Sequence, residues 1–387
     1  MKGKKVKNKK ITMVEETQID RLSDLPDGLI LHILSLMDTK YAVQTCVLSK
    51  RWKYLWIHIS SVHFHSKSFS RLEDFRSFMY HVLQRCKMSN LLAFCHHSHN
   101  YLNEEDKYTL DRVTDLTVSR RLQELILTFA HLDRNWHTLK KLDLAYSIFR
   151  CQSLRVVRLE NLFDFGNFPD SLELASLETL TLTRVTLSSK NHCNDLFSKC
   201  GKLQNLVLHK VTIRISSVFN ISAPELVNLT ICSPEFETTN GTGKHPSEKK
   251  VVVRATKLTS FILSVDHKLY YFSIYNSPLL YYVEVKASGV LSHYFNNGRY
   301  VLHLIDVLRE LGNAKSLAIS GNILEFLSKN YSVLEHQSSP FRNIESFKVL
   351  GQENKSKMME WSKVLQFLLQ DSLIADTMFF EIQKGKK

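Results

Sequence analysis

Two segments of this 387-residue sequence gather side chains that could donate a lone pair, a proton or a charge. FCHHSHNY holds Cys95, His96, His97 and His99, with Cys86 close upstream. Thiolates and imidazoles bind zinc, but a structural zinc site usually draws on two spaced pairs. Here the ligands crowd one segment without a second pair at a standard spacing. If the segment is a strand, Cys95, His97 and His99 share one face, which leaves a loose site open. The reading adopted is a strand end with solvated histidines and no metal. His192, Cys193 and Cys200 make a weaker group still. GTGK at 241–244 hints at a phosphate loop. The full motif needs glycine where Thr238 stands and Thr or Ser where His245 stands, and no apolar strand runs into it. No Ser/His/Asp or Cys/His order stands out among 17 scattered histidines. No carboxylate pair sits in a glycine-framed site. The expectation is a chain with no catalytic residue, no metal and no cofactor.

Residues 19–56 are more specific. Pro26 fits a first helical position, with Asp24 or Ser23 as cap and Asp27 in the first turn. Leu29, Ile30, Ile33, Leu34 and Met37 then recur at helical spacing. Asp38 and Thr39 end that helix and can cap the next, which carries Ala42, Val43, Cys46 and Val47. Ser49 opens a third turn with Trp52, Leu55 and Trp56. So short a unit cannot cover that much apolar surface by itself. The excess must go against the rest of the chain or against another protein.

LPDGLILHIL followed by VLSKRWKYLW resembles the F-box, in the form common in plant proteins with leucine-rich repeats. In that family the F-box docks onto a Skp1-type adaptor, which links it to a cullin-based ubiquitin ligase. Carried over by position, the resemblance implies an adaptor contact through Leu25, Pro26, Ile30, Leu34, Leu48 and Trp52. Two positions depart from the family. Gly28 stands where a helix former is usual. Met37-Asp38 stands where Leu-Pro is usual, so a looser turn is expected there.

The formal charge of +13 raises the question of nucleic acid, so its location decides. MKGKKVKNKK carries six lysines and no acid, and the final KGKK carries three more, which leaves +4 for everything between. Basicity confined to the ends argues against a nucleic-acid face; the N-terminal run reads as an import signal or a solubilising tail. The first 17 residues lack the apolar core of a secretory signal. No stretch is apolar enough to span a membrane. Seven scattered cysteines with no CxxC pair fit a reducing compartment, hence nucleus and/or cytoplasm.

From Leu122 a unit L-x-x-L-x-L repeats: LQELIL (122–127), LKKLDL (139–144), LRVVRL (154–159), LETLTL (177–182), LQNLVL (203–208) and LVNLTI (226–231). Looser copies start at 258, 280, 314 and 344. Leucine-rich repeats recur every ~20–29 residues. Alternation sends the fourth and sixth positions inward, so stacked units bury one apolar column that no single unit could bury. The Asn or Cys that usually follows the strand is missing, so an uneven convex side with few helices is expected. The fold class is therefore α/β: an N-terminal three-helix F-box followed by an irregular leucine-rich-repeat solenoid with a parallel sheet on its concave face. The divisions are a basic arm (1–18), F-box (19–60), helical linker region (61–120), repeats (121–350) and a C-terminal cap with basic tail (351–387). WSKVLQFLL reads as a terminal helix and FFEIQ as a last strand.

The concave wall exposes the third, fifth and seventh positions of each unit. Arg158, Thr181, Asn205, His209, Asn228 and Tyr282 are its candidate target-binding residues. The face is mixed and without a charge sign, which suits protein recognition over a phosphate backbone. The reading is a substrate-recognition subunit of a Skp1–cullin–F-box ubiquitin ligase. It would hold the adaptor with the F-box and an unknown target with the repeats, acting by proximity. The alternative is a protein-binding scaffold outside any ligase.

Overall fold

A computed structural model describes residues 22, 24–87, 90–99, 106–119, 121–130, 144–161, 171–188, 195–214, 218–236, 250–265, 271–275, 277–287, 298–351 and 359–370. The basic arm, GTGK, His192, Cys193, FFEIQ and the C-terminal lysines lie outside these residues.

The helical head forms as its caps dictate. Helix α1 runs Asp27–Ser35, and Pro26 is its N-cap, one position earlier than expected, with no side-chain cap. Asp27 holds the first turn and pairs with Arg51 at 2.6 Å. Helix α2 (Thr39–Gln44) starts at Asp38, whose carboxylate accepts from the Lys40 N–H. Two 3-10 turns, Thr45–Val47 and Trp52–His58, complete the head.

Eleven parallel strands then form one sheet: β1 (Ser61–His65), β2 (Ala93–His97), β3 (Glu124–Thr128), β4 (Val156–Glu160), β5 (Thr179–Thr183), β7 (Asn205–His209), β10 (Asn228–Cys232), β13 (Ser260–Val265), β15 (Tyr282–Ala287), β16 (Ser316–Ser320) and β17 (Ser346–Leu350). They pair in that order without offset; Val156, Thr179, Asn205, Asn228, Ser260 and Tyr282 stand side by side across six strands. Parallel neighbours require a crossover, so each connection must return along the other side of the sheet. The second and fourth residues of the strands, such as Leu180 and Leu182 or Leu206 and Leu208, face those connections and are buried.

The sheet begins earlier than expected. Residues 61–120 are not a helical linker but two further strand–helix units, with α3 (Leu72–Arg85) between β1 and β2 and α4 (Lys107–Val118) between β2 and β3. The hexad expected at 139–144 falls almost wholly outside the described residues. Only Leu144 of it is described; it opens helix α5 (Leu144–Phe149), and β3 pairs directly with β4. No place in the sheet is left between them.

The other side is β-rich in the middle, with small sheets β11-β8-β6 (Glu235–Phe236, Thr212–Arg214, Thr186–Ser188) and β14-β12-β9 (Tyr271–Tyr275, Lys250–Arg254, Val218–Ser222). Helices close the C-terminal end: α6 (Gly298–Glu310), α7 (Gly321–Lys329), α8 (Tyr331–Leu334) and α9 (Ser362–Leu369), the last being the expected terminal helix. The missing Asn/Cys ladder has a substitute one residue earlier. Asn161, Arg184, Lys210 and Ser233, each directly after a strand, take φ of 49–51°. Their N–H groups donate to the next unit at Thr183, His209, Cys232 and Ser264 over 2.7–3.0 Å. Left-handed backbone turns thus link the units, and at Asn161 the side-chain amide adds bonds to the Phe129 and Ala130 carbonyls at 2.6 and 2.9 Å.

Candidate functional site

The head buries one stripe and exposes another. Ile30, Leu34, Trp52 and Trp56 join the same core as Val62 and Phe64 of β1. Ile30 and Leu34 are 0 % exposed. Three of the six expected adaptor contacts, Ile30, Leu34 and Trp52, are therefore spent on the chain's own interior. Of the others, Pro26 and Leu48 are exposed and Leu25 is half-buried. The surface stripe runs one position earlier on the helix: Leu29, Ile33 and Leu36 lie at i, i+4 and i+7, one face of α1 and its cap. Val47 (84 % exposed) and Leu48 (61 %) are further exposed apolar side chains of the head, at the end of the first 3-10 turn. Leu29, Ile33, Leu36 and Val47 are not among the adaptor contacts that the resemblance implies. Five large apolar side chains left exposed on so small a folded unit mark an interaction site.

The sheet face opposite the core holds the second candidate. Arg158 and Thr181 are register partners on β4 and β5, and Asn205 and Asn228 on β7 and β10. Asn228 donates to Asn205 at 2.7 Å and Asn205 to Thr179 at 3.2 Å, a polar ladder across three strands. His209 sits one row over, beside Thr183 and Cys232. Tyr282 lies on β15 and donates its hydroxyl to Glu284, which also pairs with Lys286. All six expected residues share this face, and they span six strands instead of converging on one point.

The histidine segment forms β2 and the residues after it. His65 and His97 stack at 4.7 Å with rings 10° apart. Burial, then His65, pushes the His97 imidazole down to about 4. Burial alone pushes the Cys86 thiol up to about 12, and Cys95 reaches about 12 chiefly by burial. These thiols are protonated and enclosed at neutral pH. Among the described residues no group of three His, Cys, Asp or Glu could hold a metal. No helix among them is long and apolar enough to cross a membrane.

Comparison with known proteins agrees with this division. Residues 22–63 match the F-box domain model. Residues 110–276 match the model for the leucine-rich repeats of FBD-associated F-box protein At5g56370. The chain is 27 % identical over 368 residues to F-box/FBD/LRR-repeat protein At2g04230 of Arabidopsis thaliana, covering 91 % of this chain and 72 % of that protein. It is 25 % identical over 386 residues to putative F-box/LRR-repeat protein At4g15060 of the same plant, covering 95 % and 80 %. With putative F-box/FBD/LRR-repeat protein At4g13965 it is 29 % identical over 214 residues, about half of either chain (55 % and 47 %).

Proposed function

The chain is a plant-type F-box protein with leucine-rich repeats, and from that premise we propose that it serves as a substrate receptor in a Skp1–cullin–F-box ubiquitin ligase. The outer stripe of the head takes the Skp1-like adaptor, and the cullin joins through that adaptor. The open face of the sheet takes a target protein. Catalysis is by proximity: the receptor raises the local concentration of target lysines near a charged ubiquitin carrier, with no reacting group of its own.

The observation that carries this reading is the exposed apolar set Leu29, Ile33, Leu36, Val47 and Leu48 on an otherwise folded head. Together these side chains leave about three side-chain equivalents of apolar surface in water, each worth ~1.5–3 kcal/mol on burial. That gross gain of roughly 5–9 kcal/mol must still offset the cost of association, so a few central residues should dominate. Capture of the full chain by a purified Skp1-type adaptor tests the reading. Ile33→Asp or Leu48→Asp should abolish capture while the circular dichroism spectrum and melting temperature stay those of the parent. Capture undiminished in both variants would remove the outer stripe from the interface and the reading with it.

A further inference from the structure

Asp38, where the F-box family usually has proline, is the most heavily engaged side chain at the boundary between head and repeats. Each of its carboxylate oxygens serves a different part of the molecule. Oδ1 accepts from the Lys40 N–H at 2.9 Å and caps α2. Oδ2 accepts from the Ser68 hydroxyl at 2.8 Å and from His65 Nδ1 at 3.2 Å, both beyond the head. The carboxylate side chain is only 12 % exposed.

Neighbouring bonds reinforce the same seam. The His63 N–H donates to the Thr39 hydroxyl at 2.8 Å, and His63 Nε2 donates to the Ser35 carbonyl at 3.1 Å. The Lys40 ammonium donates to the Ser68 carbonyl. His65, the link from β1, is held from its other side by the His97 ring, which Thr128 fixes through a 2.9 Å bond to Nδ1. The chain therefore runs Lys40, Asp38, His65, His97, Thr128, from the head across the first three strands of the sheet.

The apolar core that Ile30, Leu34 and Trp56 share with Val62 and Phe64 of β1 is strong but does not point in any direction. Hydrogen bonds do point, and those to a carboxylate are short and angle-dependent. The expected looser turn is thus a bolted one. We propose that Asp38 is a positioning residue that fixes the angle of the adaptor-docking head on the target-binding sheet. The proposal rests on the adaptor reading for its purpose, because proximity chemistry depends on where the two docking faces point relative to each other. It does not rest on it for its geometry.

The test uses the full chain with spin labels attached by bioorthogonal side chains at two exposed positions, Lys50 on the head and Lys202 on the repeats. Pulsed dipolar spectroscopy of the parent should give one narrow distance peak. Asp38→Ser keeps an oxygen for capping α2 but cannot bridge to His65 and Ser68. It should broaden the peak about twofold while adaptor affinity stays within about twofold. His65→Phe, which keeps a ring against His97, should broaden it likewise. Ile33→Asp should leave the peak narrow while capture by the adaptor is lost. An unchanged width in both Asp38→Ser and His65→Phe overturns the positioning role. So does loss of adaptor capture in Asp38→Ser without broadening, since Asp38 would then serve only the head. Should Ile33→Asp and Leu48→Asp both retain capture, the adaptor reading fails while the distance result still judges Asp38.

Discussion

Acid should unfold this protein through one histidine more than through any other group described, and the effect can be removed by a single substitution. His96 occupies an inward position of β2, where the flanking strands carry Phe64 and Leu127. It is 1 % exposed and lies between the rings of Phe75 (5.6 Å) and Phe129 (4.8 Å). Among the described residues neither ring nitrogen has a hydrogen-bond partner. Burial, followed by the nearby His97, Arg76 and His65, pushes its pKa down from 6.5 to about 3. The folded-state value is depressed, so the unfolded chain takes up the proton first. The neutral ring's contribution is whole above about pH 6.5 and falls away as pH drops from there towards about 3. One proton is worth about 1.4 kcal/mol per pH unit, so His96 alone should remove about 2 kcal/mol by about pH 5. Against a total of roughly 5–15 kcal/mol for a folded domain, that is a large share. His97, held down to about 4, adds in the same direction over a shorter range. His96→Leu should match or exceed the parent at neutral pH, because two unsatisfied buried nitrogens are gone. Below about pH 6.5 its advantage in urea unfolding should widen by about 1.4 kcal/mol per pH unit. Parallel stability–pH curves for the two proteins would refute the reasoning.

Three further outcomes follow from packing. Ile30→Ala, in the buried stripe of the head, should cost about 2–5 kcal/mol in chemical denaturation, as cavity-forming substitutions do. Gly28→Ala should raise the melting temperature, since a Cβ there meets nothing within 4 Å and alanine is the better helix former by up to ~1 kcal/mol. Gly321→Ala should lower it by an amount equivalent to ~1–3 kcal/mol, because a Cβ there would stand 2.9 Å from the Trp361 indole, which is itself buried in the C-terminal cap.

The hexads from 154 to 349 were legible because alternation is a two-residue rule that a solenoid repeats, and the corresponding strands stand in register without offset. SVHFH and AFCHH were harder to read as units of the same sheet. SVHFH alternates and reads as a strand, but neither segment carries the leucine hexad, and histidine takes the place of leucine at inward position 96. LKKLDL fits the same pattern, but only Leu144 of it is described, and Leu144 opens a helix; periodicity alone does not separate a strand from a segment that leads into a helix. On α1 the letters LILHIL are apolar around much of the helix. Two stripes, Ile30–Leu34 and Leu29–Ile33, fit the spacing equally, and only packing against the rest of the core, the Trp52–His58 turn foremost, chooses between them. Asp38 was readable as a cap, but its second oxygen meets partners 27 and 30 residues away, which no local pattern encodes.

The central claim is that the outer stripe of the head is where a Skp1-type adaptor sits. Amide hydrogen exchange of the full chain, alone and with saturating adaptor, addresses it directly. The account predicts exchange slowed by about tenfold or more in α1 and the Thr45–Val47 turn, with strands β5 to β13 unchanged. Unchanged exchange in α1, or slowing centred on the strands instead, would contradict it.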